Sequence, residues 1–438
     1  MDSNHIRDMF LDYFVQRDHK RLSSSPLVLP NDQSLLFVNA GMVPFKNTFL
    51  GLEQLASQRV CSVQKCLRVS GKHNDLEQVG ISAQHLTFFE MLGNFSFGAY
   101  FKREAMQYAW ELLTREFHLS IERLWVTVYM DDDVTAQLWQ EIGVQAERIL
   151  RFGAVDNFWS MGYTGPCGPS SEIHYYQGPD LAQQRPEGVN SDDYDYIEVW
   201  NLVFMQYNRD EQGTLTPLDV PSVDTGMGLE RIASILQGVS SVYETDLFVP
   251  LLQRIRDVSS LGVGLDSEKR SAANVIADHS RAIAFLIADG IRPGNIGRSY
   301  VLRRFIRRAA YFGRTLGLTQ PFLASIVQVT VEQLDSSYPE LQTQSSEIYA
   351  VITAEEKRFQ RTLAKGLQHL DDLAAQMILQ GHHIVSGREA FKLYDTFGFP
   401  LDLTQRIVSE RGWSVDVAEY EHERQEQQQR SRAHAKFK

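Results

Sequence analysis

The chain has 438 residues, 43% hydrophobic and 22% charged, which at about 150 residues per domain suggests two to three domains with real cores. That composition excludes a disordered chain, a collagen and a disulfide miniature. Acidic residues outnumber basic ones by 55 to 43, a net charge of −12, which excludes a uniformly basic nucleic-acid coat protein but not a local basic patch.

In chain order, residues 3–20 read as an amphipathic helix, with Ser3 as N-cap and Ile6, Phe10 and Phe14 on one face. Three runs rich in β-branched and aromatic residues read as strands: SLLFVN (34–39), RLWVTVYM (123–130) and YIEVWNLVFMQYNR (196–209). Between the first two, residues 66–98 read as strand, polar loop and strand. FKREAMQYAWELLTREF (101–117) reads as a helix, with Phe101, Ala105, Tyr108, Ala109 and Leu112 on its apolar stripe. The polar stretch 177–195 reads as an exposed loop. Residues 221–238 read as the end of a strand at Val223, a glycine turn and a helix carrying Leu229, Ile232, Ala233 and Leu236. Strands and helices alternate without a βαβ rhythm, which predicts an α+β fold with a largely antiparallel sheet.

A boundary is expected between Gly238 and Phe248. Beyond it, residues 271–378 are nearly all helical by period, with Ile276, Ala277, Ile283, Ala284 and Ile287 on one stripe and a long helix over 347–376. From Glu419 the polar tail reads as a solvated helix or frayed linker. The expected layout is 1–240, 241–418 and 419–438. Cys61, Cys66 and Cys167 are too few and irregular for a disulfide framework, pointing to a reducing compartment. No apolar run approaches the roughly 18 residues of a membrane span, and Arg7, Asp8 and Asp12 interrupt any signal-peptide core. The expectation is a cytoplasmic protein.

Three segments could carry chemistry. In DTGMGLERI (224–232), Gly226 and Gly228 allow close backbone approach to a ligand, with Glu230 and Arg231 in the first helical turn; a Gly-x-Gly before a helix reads equally well as a turn that needs small residues. In the 66–98 hairpin, Arg68 precedes a loop with Lys72, His73, Asn74, Asp75 and Glu77, and the second strand alternates through His85, Thr87, Phe89 and Met91. Guanidinium, imidazole and an aromatic face together suit a phosphate and a purine base, although a solvated charged hairpin has the same composition. Gly71-Lys72 is not a P-loop, because Cys66 stands where the first glycine is needed. Residues 292–314 hold seven arginines and no acid; opposing the chain's overall sign, they favour a polyanion partner over a merely solvated face. Cys167 and His174 lack partners at metal-ligand spacing, since Ser170 occupies the position of a second thiol, and no HxxxH pair occurs. A structural zinc and a protein-held metal are not expected.

These segments, with SLLFVNAGM (34–42), GKHNDLEQVG (71–80), FFEMLGNFSFG (88–98), YVLRRFIRRA (300–309) and YDTFGFPLDLT (394–404), occur in collinear order over essentially the whole chain. The chain thereby resembles the alanyl-tRNA synthetase family of class II aminoacyl-tRNA synthetases. The resemblance implies a six-stranded antiparallel sheet flanked by helices, then a helical tRNA-recognition domain. The implied reaction joins alanine and ATP into alanyl-adenylate, using substrate-bound Mg²⁺, and transfers alanine to the end of tRNA(Ala). By motif position Arg68 would grip the α-phosphate and the alanine carboxylate, and His73, Asp75 and Glu77 would close over ATP. His85 and Phe89 would stand beside adenine, with Phe89 stacked on it; Gly228 and Arg231 would complete the ATP site. Asp224 would bind the alanine ammonium, with Met42, Trp159, Asn201 and Gly226 as neighbours. Asn295 and Asp395 would read a G·U pair in the acceptor stem, and Arg298, Arg303, Arg304, Arg307 and Arg308 would hold phosphates or brace their helix. Family members often carry two cysteines and further histidines around 167–180 as a zinc site, a pattern broken here by Ser170 and Gln177. A pocket sized for one methyl cannot strongly reject glycine or serine, so misactivation of both is expected; the family commonly deals with this in a separate editing domain, and the chain stops at Lys438. The competing readings are an amino-acid-activating relative that loads another carrier and a non-catalytic tRNA-binding module; the retained arginine face and Asp395 oppose the first, and the intact Arg68, Phe89, Asp224 and Arg231 oppose the second.

Overall fold

A computed structural model describes residues 1–30, 35–70, 73–259 and 266–435, with the side chains of Ser70, His73 and residues 428–435 outside the description. The chain divides into two compact units, Met1–Leu251 and Leu252–Lys438.

The first unit begins with helix α1 (Ser3–Val15), whose N-cap is Asp2: its carboxylate accepts the His5 amide at 2.9 Å. Ser3, the expected cap, instead donates its amide and hydroxyl to Asp246 at 2.8 and 2.6 Å. Among the described residues nine strands form one sheet: β1 (Lys20–Arg21), β2 (Arg59–Leu67), β5 (Phe88–Ser96), β6 (Leu124–Tyr129), β7 (Ile149–Phe152), β8 (Phe158–Ser160), β9 (Gly165–Tyr176), β10 (Tyr196–Arg209) and β11 (Leu215–Gly228). A small ribbon, β3 (Val69–Ser70) with β4 (His73–Asn74), leads out of β2. The sheet order is β1-β2-β5-β11-β10-β9-β6-β7, with β8 added on β9. From β2 to β6 every pairing is antiparallel; the edge pairs β1·β2 and β6·β7 are parallel. The expected six antiparallel strands are thus the centre of a wider mixed sheet. Phe10 and Phe14 of α1 pack on Trp200 of β10, with ring centroids at 5.8 and 6.4 Å, and cover one face of the sheet.

Several expectations change. Ser34 lies outside the described residues, and 35–39 joins no ladder: Phe37 and Val38 are buried, and the segment is tied down at single points that include Val38 N–H to Leu27 O and Leu67 N–H to Val38 O, both 2.8 Å. Strand β11 does not end at Val223 but continues through Gly228, with Gly226 opposite Asn201 and Gly228 opposite Met91. The helix expected over 101–117 is α3 (Lys102–Glu111) followed by a π-helical turn, Leu112–Glu116. Short α2 (Lys46–Phe49), α4 (Asp133–Ile142) and α5 (Leu229–Gln237) complete this unit; α5 stops at Gly238, whose φ of +66° is the left-handed cap that glycine adopts without strain.

Helix α6 (Val249–Ser259) spans the division. The second unit contains α7 (Ser267–Ala288), α8 (Gly297–Thr315), α9 (Leu323–Leu334), α10 (Pro339–Thr343) and the long α11 (Ser345–Gln380). It continues with β12 (Ile384–Val385), α12 (Gly387–Lys392), a π-helical turn (Leu393–Phe397), α13 (Leu401–Ser409), β13 (Ser414–Val415) and α14 (Val417–Ala435). The predicted stripe of α7 is fully buried. The tail helix is anchored at its start, where Tyr420, 1% exposed, packs on Phe391 and Tyr394. No helix of the described residues is long and apolar enough to cross a membrane.

Candidate active site

On one face of the sheet lies a cavity of about 250 Å³. Ten residues singled out from the sequence line it: Arg68, Asp75, His85 and Phe89 from the hairpin, Trp159 from β8, Asn201 from β10, Asp224, Gly226 and Gly228 from β11, and Arg231 from α5. The strand order explains the convergence, because β2, β5, β11 and β10 are consecutive in the sheet although they lie between residues 59 and 228 of the sequence. The guanidiniums of Arg68 and Arg231 therefore open into the same space. Met42 does not reach it; the residue is fully buried in the apolar cluster containing Phe45, Phe95 and Met205, drawn there by its neighbours Val43 and Phe45. Glu77 is exposed and outside the lining. Lys72 and the His73 side chain lie outside the described residues.

The alternation of β10 and β11 sets the centre of the site. Val203 pairs with Asp224 and Asn201 with Gly226, so these four positions share the cavity face. Asp224 is 5% exposed, and among the described residues no group donates to its carboxylate. Burial alone lifts its pKa from 3.8 to about 7. Asn201 donates its amide to Glu172 Oε1 at 3.1 Å, which turns its carbonyl oxygen away; that buried oxygen has no partner among the described residues. Two residues that line one cavity thus each carry an unsatisfied acceptor, one of them a carboxylate. A group with several N–H donors and a positive charge is the complement they lack. Gly226 keeps this region open for a different reason from that expected: a Cβ there would stand 2.6 Å from Met91 Sδ, so the glycine makes room for Met91, which forms part of the floor.

The nucleotide side is cationic and aromatic. Arg68 Nε donates to Asn39 O at 3.1 Å, and its guanidinium carbon stands 5.0 Å from the Phe89 ring centroid. Arg231 Nη1 donates to Glu198 Oε2 at 2.8 Å and to Glu198 O at 3.2 Å. Burial pushes the Glu198 carboxyl up, but Arg231, together with His174 and Arg68, more than offsets this and holds it below the usual range. Burial, then Arg231, lowers the pKa of His85, which keeps its imidazole neutral near pH 7; Nδ1 is 2.8 Å from Ser82 Oγ. Burial raises the pKa of Glu172, with Glu198 adding to the effect; His174, Asn190 and Asn201 all engage its carboxylate.

Glu172 and Glu198 line the cavity but were not singled out from the sequence, and Glu230, noted in its motif, was given no role. The available signal was an acid inside an apolar strand pattern, as in YIEVWNLVF and SSEIHYY, since a buried carboxylate needs a partner. The zinc question reduces to Cys167, buried in β9, and His174, engaged with Glu172; among the described residues no group of three or more metal-ligating side chains occurs.

In the second unit the arginines of α8 are drawn inward. Arg303 and Arg307 meet Glu355 at 3.1 and 2.7 Å, and Arg304 and Arg308 meet Asp402 at 2.8 and 2.5 Å. Two carboxylates thus offset half the charge of these four arginines on the basic face expected for this helix. Arg298 lies half-buried in the first turn of α8, and Asn295 and Asp395 are exposed.

A family model described as tRNA synthetases class II (A) matches residues 5–438. The alanine–tRNA ligase of Chloroflexus aurantiacus is 55% identical over 426 residues, which cover 95% of this chain and 47% of that protein. The alanine–tRNA ligase of a Roseiflexus species is 54% identical over 446 residues (100% and 49%), and that of Legionella pneumophila strain Corby 53% over 421 residues (96% and 48%). The chain spans about half the length of the curated relatives it matches.

Proposed function

The chain belongs to the class II (A) tRNA synthetases, and from that premise we propose that it activates alanine with ATP and transfers the alanyl group to the 3′ adenosine of tRNA(Ala) in the cytoplasm. An alanine carboxylate oxygen attacks the α-phosphorus, the bond to the β-phosphate oxygen breaks, and pyrophosphate leaves. The terminal ribose hydroxyl then attacks the activated carbonyl and AMP leaves. The protein's share is in-line positioning and stabilisation of the charge that builds on phosphorus.

The observation that carries this reading is the pair of unsatisfied acceptors, the Asp224 carboxylate and Asn201 Oδ1, in the cavity that also holds Arg68 and Arg231. Their complement is an α-ammonium. Holding it there points the amino acid's carboxylate toward Arg68, while Val203 and Trp159 close in around a small side chain. Phe89 offers its ring to adenine, and Arg231 takes the opposite face or the γ-phosphate by exchanging Glu198 for a phosphate oxygen. ATP arrives as its magnesium complex, whose ion neutralises the phosphates; Asp75 and Glu198, which line the cavity with both arginines, are the carboxylates that would hold it. Asn295 and Asp395 are read as the contacts to the acceptor-stem minor groove, where a wobble guanine leaves its amine free, and the four paired arginines of α8 as braces for that reader. Alanine-dependent pyrophosphate exchange by the Asp224→Asn protein tests the assignment: at least about a hundredfold loss is expected, the cost of leaving an ammonium without its counter-charge, and full retention would refute it.

A further inference from the structure

Glu355, near the start of α11, is 5% exposed and far in sequence from either acceptor-stem segment. Its Oε1 accepts from Arg307 Nε at 2.9 Å and Nη2 at 2.7 Å, and stands 3.1 Å from Arg303 Nε. Each arginine then reaches outward to a different place. Arg303 Nη1 donates to the side-chain oxygen of Asn295. Arg307 Nη1 donates to Gly398 O at 2.6 Å, directly after the π-helical turn that carries Asp395. One buried carboxylate thus connects, through two guanidiniums, the two segments read above as contacts to the acceptor stem.

The local chemistry favours this arrangement over a chance contact. Gly398 has φ +76°, and a Cβ there would lie 2.2 Å from Arg307 Nη1, so glycine is required both for the turn and for the approach of the guanidinium. The same turn is held from its other side, where Thr362 Oγ1 donates to Phe397 O at 2.7 Å. A guanidinium has donors only, so Arg303 fixes the Asn295 amide with oxygen inward and its N–H groups outward. Asp395, exposed and an acceptor, stands on the other segment. The result is one donor and one acceptor whose separation is set by Glu355.

Resting on the acceptor-stem reading of Asn295 and Asp395, we propose that Glu355 is a positioning residue that sets their spacing and thereby the discrimination of the acceptor stem. Glu355→Gln accepts a hydrogen bond but cannot hold two cations. Glu355→Asp keeps the charge yet is one methylene too short to span both arginines. Gly398→Ala separates Arg307 from the turn without touching Glu355.

The test compares charging of transcripts that carry G·U or G·C at the recognised pair with alanine-dependent pyrophosphate exchange run without tRNA, using the full chain. For Glu355→Gln we expect kcat/KM for the G·U transcript to fall by about 10–100-fold, the range a misplacement of about 1 Å produces, and the G·U over G·C ratio to shrink by a similar factor. Exchange should stay within about twofold of the parent. Glu355→Asp and Gly398→Ala should give the same selective loss at smaller size. Unchanged charging and discrimination in all three variants would overturn the inference, as would equal loss of exchange and charging. A parent protein that charges both transcripts alike would instead overturn the acceptor-stem reading beneath it.

Discussion

Raising the pH from 6 to 8 should tighten alanine binding about tenfold, through Asp224. Burial lifts that carboxyl from 3.8 to about 7, so ionising it in the empty cavity costs about 4 kcal/mol more than in the unfolded chain. The alanine ammonium requires the ionised form. At pH 6 roughly ten of eleven free molecules must first lose a proton; at pH 8 roughly one in eleven must. KM for alanine should therefore fall with about unit slope below pH 7 and level off above it. The sign for stability follows from the same shift. The folded pKa exceeds the unfolded one, so between about pH 4 and pH 7 the native state holds a proton that the unfolded chain has lost, and stability falls as pH rises through that window. Asp224→Asn removes the penalty: it should raise the melting temperature at pH 8 by about 5 °C or more, leave it unchanged near pH 4 and abolish exchange. The assays are alanine KM in pyrophosphate exchange from pH 6 to 8 and thermal melts of both proteins. A KM flat across that range, or a variant less stable than the parent at pH 8, would refute the reasoning.

Three other perturbations probe different parts of the molecule. Arg7 meets buried Glu90 through two contacts, at 2.9 and 2.5 Å; Arg7→Met removes a bidentate counter-ion from that buried carboxylate and should destabilise the fold by a few kcal/mol, about 3–5 at most, read as a lower urea midpoint. Asp395 is exposed in its turn and remote in sequence from every residue lining the catalytic cavity, so Asp395→Ala should abolish charging of a G·U transcript with exchange intact; equal loss of both activities would give it another role. A pocket sized for one methyl separates glycine from alanine by only about 1–3 kcal/mol, so glycine and serine should both support exchange above background, and the absence of both signals would show a selectivity that these walls do not explain.

Legibility from sequence followed the reach of the pattern. The β-branched and aromatic run YIEVWNLVFMQYNR has the same bounds as β10, and the 3.6-residue period of 347–376 lies within α11. Arg68, Phe89, Asp224 and Arg231 were legible as motif residues, and their strands are sheet neighbours that bring them to one cavity. SLLFVN has strand composition but finds no ladder, because composition records burial and not which edge is available for pairing. The pairing of the α8 arginines was not legible for a related reason: their counter-charges, Glu355 and Asp402, are about 50 and 95 residues away, beyond any local charge count. Glu172 and Glu198 were passed over because a carboxylate in an apolar strand declares its purpose only once Asn201 and Arg231 are beside it.

The central claim is that the cavity holding Asp224, Asn201, Arg68 and Arg231 joins an amino acid to ATP. Pyrophosphate exchange by the purified chain, run without tRNA and with each of the twenty amino acids in turn, tests it most directly. Exchange dependent on alanine, with serine and glycine as weaker substrates, is the predicted result; no exchange with any amino acid, or a clear preference for a large side chain, would contradict it.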